Sequence, residues 1–234
     1  MNILALDTSS KACSCALWRE GALAGEYFLN AGLTHSQTIL PMVDSLLATM
    51  GVEAGEVDLF AVSTGPGSFT GLRIGIAAVK GMAMALNRPC VPVSTLWALA
   101  LNMQQFRGYV APVMDARRGQ VYTALFRGDG AALRREWADA AVSMAELGAE
   151  IKKLTQPVIL VGDGAQLCLD TLGGELPELL LAPQTLRHQR AASVALAAQL
   201  AGDAARCTAG ELAPVYLRLS QAERERNQKR SDHK

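Results

Sequence analysis

The sequence predicts an α/β protein built of two lobes that repeat one order of strands and helices. The first half has the pattern of three strands followed by alternating helices and strands, βββαβα, and the second half begins in the same way. The segment LDTSSKACSCALW, residues 6–18, also aligns without a gap on MDARRGQVYTALF, residues 114–126, which places Asp7 on Asp115. A repeated element order together with a repeated segment predicts a duplicated fold.

Length and composition agree with this prediction and argue against some classes of function. The chain has 234 residues, half of them hydrophobic, and its formal net charge of zero gives no overall field that would attract nucleic acid or a membrane. We expect one lobe over residues 1–105, a second over 106–219 and a disordered polar tail over 220–234. No apolar run reaches the roughly 18 residues of a membrane span. Five cysteines without C-x-x-C spacing indicate free thiols in the cytoplasm.

The first half is predicted to alternate strands with three helices. A capping box of Thr34 and Gln37 predicts the start of a helix that Gly51 ends. The glycine-rich junction GPGSFTGLRIG, residues 65–75, leads into a second, longer helix, and Ser94 is expected to cap a third. The strands are predicted at residues 3–6, 13–18, 24–29, 57–63 and 90–93.

The second half contains the same kinds of signal. Ser143 and Glu146 form a second capping box, and an alanine- and leucine-rich helix is predicted over residues 191–201. A strand is expected after the turn at 128–130. Further strands are predicted at residues 109–115, 120–127, 157–162 and 215–217.

A strand that ends in Asp and continues into a hairpin, present twice, is the frame of the actin/hexokinase/Hsp70-like ATPases. In that duplicated fold two hairpin turns and two glycine-rich junctions face each other across a cleft that holds phosphates. The turns would be residues 8–11 and 116–119 here, although the first contains no glycine. Alternatively, each Asp only ends a strand and orders a turn. The candidate cleft residues are Asp7, Thr8, Ser9, Gly65, Gly67, Ser68, Asp115, Gly162 and Gly164.

Metal and serine-nucleophile chemistry have no support in the sequence. The three histidines, at positions 35, 188 and 233, have no histidine or cysteine at metal-ligand spacing. The G-x-S-x-G nucleophile motif is absent, and GPGSFTG does not match it. We therefore predict no catalytic residues and no metal site in this chain.

Six segments together resemble the TsaB family, also called YeaZ, over about residues 1–219. They are ILALDTSS, THSQTILPMV, STGPGSFTGLRIGIAAVKGMA, VPVSTLWALA, MDARRGQVYTALF and PVYLR. The resemblance implies a two-lobed actin-like fold and a role in the synthesis of threonylcarbamoyladenosine beside the tRNA anticodon. It also implies pairing with the catalytic paralogue TsaD and the ATPase TsaE, and contact with tRNA only through that complex. A homodimer is expected when the chain is alone, with ATP or ADP bound only within the complex.

One departure from the paralogue indicates how this chain acts. TsaD-like enzymes carry an H-x-x-x-H metal motif just after the strand that matches residues 90–93, whereas this chain has STLWA at 94–98. Serine and threonine are poor ligands for iron or zinc. The resemblance thus implies a non-catalytic scaffold that activates TsaD and has no activity alone. The alternative is an active ATPase or transferase that uses Asp7 and Asp115.

The helix after the glycine-rich junction is predicted to bind a partner. Residues 71–86 are apolar or small nearly all round, whereas a helix that covers one side of a sheet should be polar over about half its circumference. Either a helix from another chain or the second lobe of the same chain would cover it. The first reading assigns the interface to Leu40, Met42, Gly71, Leu72, Gly75, Ile76 and Val79.

Overall fold

The computed structural model describes residues 1–176 and 178–218, so the predicted tail at 220–234 lies outside the described residues. The first half forms β1 (Asn2–Asp7), β2 (Cys13–Arg19), β3 (Ala22–Leu29), α1 (His35–Met50), β4 (Leu59–Gly65), α2 (Phe69–Leu86), β5 (Cys90–Ser94) and α3 (Thr95–Leu101). The second half forms β6 (Arg107–Asp115), β7 (Gln120–Asp129), β8 (Leu133–Ser143), α4 (Met144–Ile151), β9 (Val158–Val161), α5 (Ala165–Leu172), β10 (Leu179–Leu181) and α6 (Ala191–Ala201).

The two halves form equivalent five-stranded sheets. The strand order is β3-β2-β1-β4-β5 in the first and β8-β7-β6-β9-β10 in the second. The central strand of each sheet, β1 or β6, pairs antiparallel with the strand that follows it, β2 or β7. On its other side it pairs parallel with β4 or β9. Asp7 ends β1 and Asp115 ends β6, as the alignment of the two halves predicts. The duplicated α/β fold is confirmed.

Some helices cover the sheet that is formed by the other half of the sequence. On one face of the first sheet, α1 and α2 pack over buried residues of β1, β2 and β4. On its other face lies α6, which belongs to the second half of the sequence. Helix α3 packs on the second sheet, whose opposite face is covered by α4 and α5. Helices α3 and α6 each contact the sheet of the other half, so helices cross the boundary at residue 105, which stays a prediction.

One of the two predicted capping boxes forms. Ser143 accepts a hydrogen bond from the Glu146 N–H at 3.2 Å, and Glu146 accepts one from the Ser143 N–H at 2.7 Å, which confirms that capping box. Thr34 is the N-cap residue of α1 and Gly51 follows its last residue, as predicted, but the Thr34 side chain makes no capping hydrogen bond. The capping box predicted there is therefore wrong. Residues 215–217 are not a strand, although the Val215 N–H donates to Thr64 O at 2.8 Å.

Candidate functional site

Asp7 is directed into the protein and not into the space between the lobes. The side chain is 1% exposed. Its Oδ1 accepts hydrogen bonds from the N–H and the hydroxyl of Ser9 at 2.9 and 2.7 Å, and its Oδ2 accepts one from the Ser63 hydroxyl. Burial raises the pKa of Asp7, while the hydrogen bonds from Ser63 and Ser9 act in the opposite direction. These contacts support the reading in which Asp7 orders the turn after β1.

The glycines of the junction allow α2 to pack against that same turn. A Cβ atom on Gly71 would lie 2.0 Å from Thr8 O, and one on Gly75 would lie 2.3 Å from Thr8 Oγ1. A Cβ on Gly67 would lie 2.5 Å from Ser9 O. Two hydrogen bonds join the turn to the start of α2, from Ser68 N to Ser9 O at 2.7 Å and from Thr8 Oγ1 to Gly71 O at 2.8 Å. The turn and the helix therefore satisfy each other's polar groups at the place where a phosphate was expected.

The second lobe repeats this close approach. Gly162 has a φ of +127°, and a Cβ on it would lie 2.1 Å from Val113 O. Gly164 donates to Val113 O at 3.0 Å, and its own Cβ would meet the Asp115 N at 2.9 Å. In both lobes the glycine-rich junction thus packs directly on the end of the central strand.

An open cleft of about 720 Å³ lies between the two lobes. Of the predicted cleft residues, Ser9, Gly67, Ser68 and Asp115 line it. The lining does not include the other five, namely Asp7, Thr8, Gly65, Gly162 and Gly164. The cleft is lined by parts of both turns and of both junctions, but by only four of the nine candidate residues.

Charged residues that were not among the candidate cleft residues line the same cleft. They are Lys11, Arg117, Arg118, Asp163 and Arg218. Asp163 is partly buried, and burial raises its pKa, with the nearby Asp115 raising it further and Gln189 and Lys11 opposing the rise. The signal for Asp163 was its position between Gly162 and Gly164 in a junction that had been singled out. Lys11, Arg117 and Arg118 lie in the two turns predicted to face the cleft, whereas no such signal marks Arg218.

Residues 215–218, called the C-terminal strap below, connect the two lobes beside this cleft. The ring of Tyr216 stacks on Phe69 with centroids 4.5 Å apart, and its hydroxyl accepts a hydrogen bond from Arg73 Nε at 2.8 Å. Arg218 donates to the carbonyl oxygens of Ala116 and Arg117 in the β6–β7 turn. One short segment thus holds the start of α2 and the hairpin turn of the second lobe together.

The strap also explains Gly65. Its φ is +136°, and a Cβ on it would lie 2.2 Å from Val215 O. A side chain at this position would meet the strap backbone, so glycine is required by both its backbone conformation and the space available.

The position of the TsaD metal motif holds an ordinary helix start. Ser94 accepts a hydrogen bond from Trp97 N at 3.1 Å and donates one to Asp139 at 2.6 Å, so its hydroxyl is occupied. Within residues 1–176 and 178–218, no group of three or more His, Cys, Asp or Glu side chains is placed to hold a metal ion.

The predicted partner interface is corrected by the burial of its residues. Gly71, Leu72, Gly75, Ile76 and Val79 all face the interior of the first lobe, and Ile76 is only 4% exposed. Met42 is likewise buried, which leaves Leu40 as the one exposed member of the set. The periodicity grouped these residues correctly but did not show which side meets the sheet, because the opposite side of α2 is apolar as well. An Ile76→Asp variant would consequently test folding and not partner binding.

The opposite side of α2 carries the exposed apolar surface. By length and composition alone α2 could cross a membrane, yet in the fold it packs on the first sheet and on α1. Met84 is 69% exposed on α2 and Leu40 is 45% exposed on the adjacent α1. We use the name outer helix face for six exposed apolar or small residues of these two helices, which are Leu40, Pro41, Ala77, Gly81, Met84 and Ala85.

Comparison with known proteins identifies the family. A family model described as TsaD, tRNA N6-adenosine threonylcarbamoyltransferase, matches residues 30–225. The tRNA threonylcarbamoyladenosine biosynthesis protein TsaB of Bacillus subtilis is 34% identical over 227 residues, which are 95% of this chain and 96% of that protein. The chain belongs to the TsaB family.

Solved structures agree with this TsaB assignment. YeaZ from Pseudomonas aeruginosa superimposes with a TM-score of 0.72 at 31% identity, covering 92% of this chain and 99% of that one. The ROK hexokinase from Thermus thermophilus superimposes with a TM-score of 0.51 at 13% identity over 86% of this chain and 99% of that one, which shows a shared fold alone. Both the resemblance to TsaB and the actin/hexokinase-like fold are therefore confirmed.

Proposed function

We propose that this TsaB-family chain is a non-catalytic scaffold that activates a TsaD-like partner. The partner transfers the threonylcarbamoyl group to the adenosine next to the anticodon of tRNA. A TsaE-like ATPase completes the complex. The Bacillus subtilis relative is named for tRNA threonylcarbamoyladenosine biosynthesis, and the matching family model is a threonylcarbamoyltransferase.

The main support for a non-catalytic role is that the side chains at two candidate reactive positions are already hydrogen-bonded within this chain. Ser94 stands where the TsaD motif has its first histidine, and its hydroxyl is bound to Asp139 and Trp97. Asp7, the candidate for phosphate chemistry, has both carboxylate oxygens occupied by Ser9 and Ser63. A chain with these groups committed to its own fold contributes by binding and not by chemistry. This argues against the alternative of an ATPase or transferase in its use of Asp7, whereas Asp115 lines the cleft.

The outer helix face is the proposed docking surface. It places exposed apolar residues on two adjacent helices, and two such helices from each chain would bury them in a four-helix contact. The same face would form a homodimer when the chain is alone. In this proposal the chain meets tRNA, and ATP or ADP, only as part of the complex. The complex is cytoplasmic.

A charge on the outer helix face tests this proposal. Met84→Asp should leave the fold intact because the side chain faces water, whereas an unpaired charge at a buried interface should weaken binding at least tenfold. Leu167→Asp is the matched control, since Leu167 is 50% exposed on α5 of the other sheet. Both variants would be assayed for co-purification with a TsaD-like partner and for tRNA modification by the reconstituted complex.

Three results would contradict the proposal. One is undiminished binding by Met84→Asp. The others are transfer by the isolated chain and a stoichiometric iron or zinc ion in the purified protein, because either would assign the chemistry to this subunit.

A further inference from the structure

Two cysteines that are far apart in the sequence lie directly opposite each other. Cys90 begins β5, and Cys207 follows a short 3-10 turn, Asp203–Ala205, after α6. They form an isolated antiparallel bridge, with hydrogen bonds from Cys90 N to Cys207 O at 2.9 Å and from Cys207 N to Cys90 O at 2.8 Å. In a pair that exchanges both bonds the Cα atoms are about 5.5 Å apart, within the range of about 4.4–6.8 Å that disulfides span.

The other three cysteines do not share this arrangement. Cys13 and Cys15 lie two residues apart on β2, where their strand partners are Leu29, Leu6 and Tyr27. Cys168 is buried among the residues of the second sheet and its two outer helices. Only Cys90 and Cys207 are placed as a pair, with Cys207 packed against the core cluster that contains Cys90.

Cys207 can be reached from solvent, whereas Cys90 cannot. Cys90 is fully buried and Cys207 is half-buried. A surface depression of about 530 Å³ has Cys207 in its wall together with Arg88 and Arg206. A small oxidant can therefore reach the sulfur of Cys207 first.

We propose that Cys90 and Cys207 are an oxidation site at which a hydroperoxide forms an intrachain disulfide. The thiolate of Cys207 attacks the terminal hydroperoxide oxygen, the O–O bond breaks, and an alcohol or water leaves as Cys207 becomes a sulfenic acid. The sulfur of Cys90 then attacks that sulfur. The S–S bond forms, the S–O bond breaks, and hydroxide leaves as water with the proton of Cys90. Two thiols are oxidised and one hydroperoxide is reduced.

The surroundings predict a slow reaction and a bond that is easily reduced. Burial raises the pKa of Cys90 to about 11, with Cys207 adding to the rise, and burial also raises the pKa of Cys207. Little thiolate is therefore present at neutral pH. The Cβ atoms of such a pair lie up to about 5.5 Å apart and must approach to about 3.8 Å, which strains the bond.

The bond would fix the C-terminal part of the chain to the first sheet. Cys207 lies between α6 and the C-terminal strap, so a link to β5 anchors the segment that leads to the strap. Closing the loop between residues 90 and 207 also restricts the unfolded chain, and we expect a rise in melting temperature of about 5 °C.

Mass spectrometry of the full chain tests the proposal directly. The reduced protein is treated with hydrogen peroxide under native conditions, alkylated and digested without reduction. We expect a loss of about 2 Da per chain, and a cross-link between the tryptic peptides 81–107 and 207–218, which contain Cys90 and Cys207. Dithiothreitol should reverse both the cross-link and the rise in melting temperature.

Two variants locate the bond. Cys207→Ser should lose the cross-link, whereas Cys168→Ala keeps both partners and should retain it. The proposal is overturned if folded wild-type protein keeps five free thiols. It is also overturned if Cys207 gains only oxygen atoms, or if the cross-link joins other cysteines or two chains. These outcomes do not depend on partner binding, so they are independent of the proposed scaffold function.

Discussion

The hydroxyl of Ser63, near the end of β4, donates a hydrogen bond to the carboxylate of Asp7 at the end of β1. Ser9 occupies the other carboxylate oxygen with its N–H and its hydroxyl. The residue that aligns with the cleft-facing Asp115 is thereby committed to the interior of the first lobe. Four tests follow from this and related contacts.

Replacing Asp7 separates the need for its hydrogen bonds from the need for its charge. Asparagine is neutral but keeps an oxygen that can accept from Ser9, and its amide can donate to the Ser63 hydroxyl, which can also accept. We expect the unfolding free energy of Asp7→Asn to stay within about 1 kcal/mol of wild type at pH 7. Asp7→Ala leaves two buried hydroxyl groups without an acceptor, so it should lose about 2–4 kcal/mol. Urea denaturation measures both. Equal damage by the two variants would show that the charge itself is required.

Two glycines of α2 form a matched pair for testing the close approach to Thr8. Gly71→Ala places a Cβ 2.0 Å from Thr8 O, so the backbone must shift, and we expect a loss of about 3 kcal/mol or more. Gly81→Ala meets nothing within 4 Å and should gain about 0.8 kcal/mol from helix propensity. Thermal melting compares them. A tolerated Gly71→Ala would refute packing as the reason for this glycine.

The strap is tested through its aromatic contact. Tyr216 and Phe69 stack at 4.5 Å, and such pairs contribute about 0.5–1.5 kcal/mol beyond area burial. A double-mutant cycle of Tyr216→Ala and Phe69→Ala should yield a coupling energy in that range. Tyr216→Phe, which loses only the hydrogen bond from Arg73, is the control and should cost about 0.5–1.5 kcal/mol. Strictly additive losses would mean that the strap does not depend on this stack.

The raised pKa of Asp163 predicts a pH dependence with a definite sign. Its value in the unfolded chain is near 3.8, and burial together with Asp115 raises it in the folded protein. Between these two values the folded state binds more protons, so the stability contributed by Asp163 falls as pH rises. From pH 4 upward, Asp163→Asn should therefore become more stable relative to wild type, until the difference in unfolding free energy levels off. Urea denaturation across pH 4–8 measures it, and a constant difference would contradict the shift.

The sequence alone determined the family and most of the order of elements, although it gave no signal for α5 or β10. Asp7 and Asp115 fell in register because a duplicated strand and hairpin leave the same local pattern in both halves. Ser143 and Glu146 could be identified as a cap because both partners lie within one turn of chain. These features depend on neighbours in the sequence, and periodicity or motif reports such neighbours directly.

Tertiary structure decided which surfaces are inside. Both sides of α2 are apolar, so periodicity could not show that Ile76 meets the first sheet while Met84 meets solvent. The placement of α6 on the first sheet, and of Tyr216 against Phe69, likewise joins residues far apart in the chain. The free energy of such contacts depends on how two distant surfaces fit together, and no local pattern records that fit.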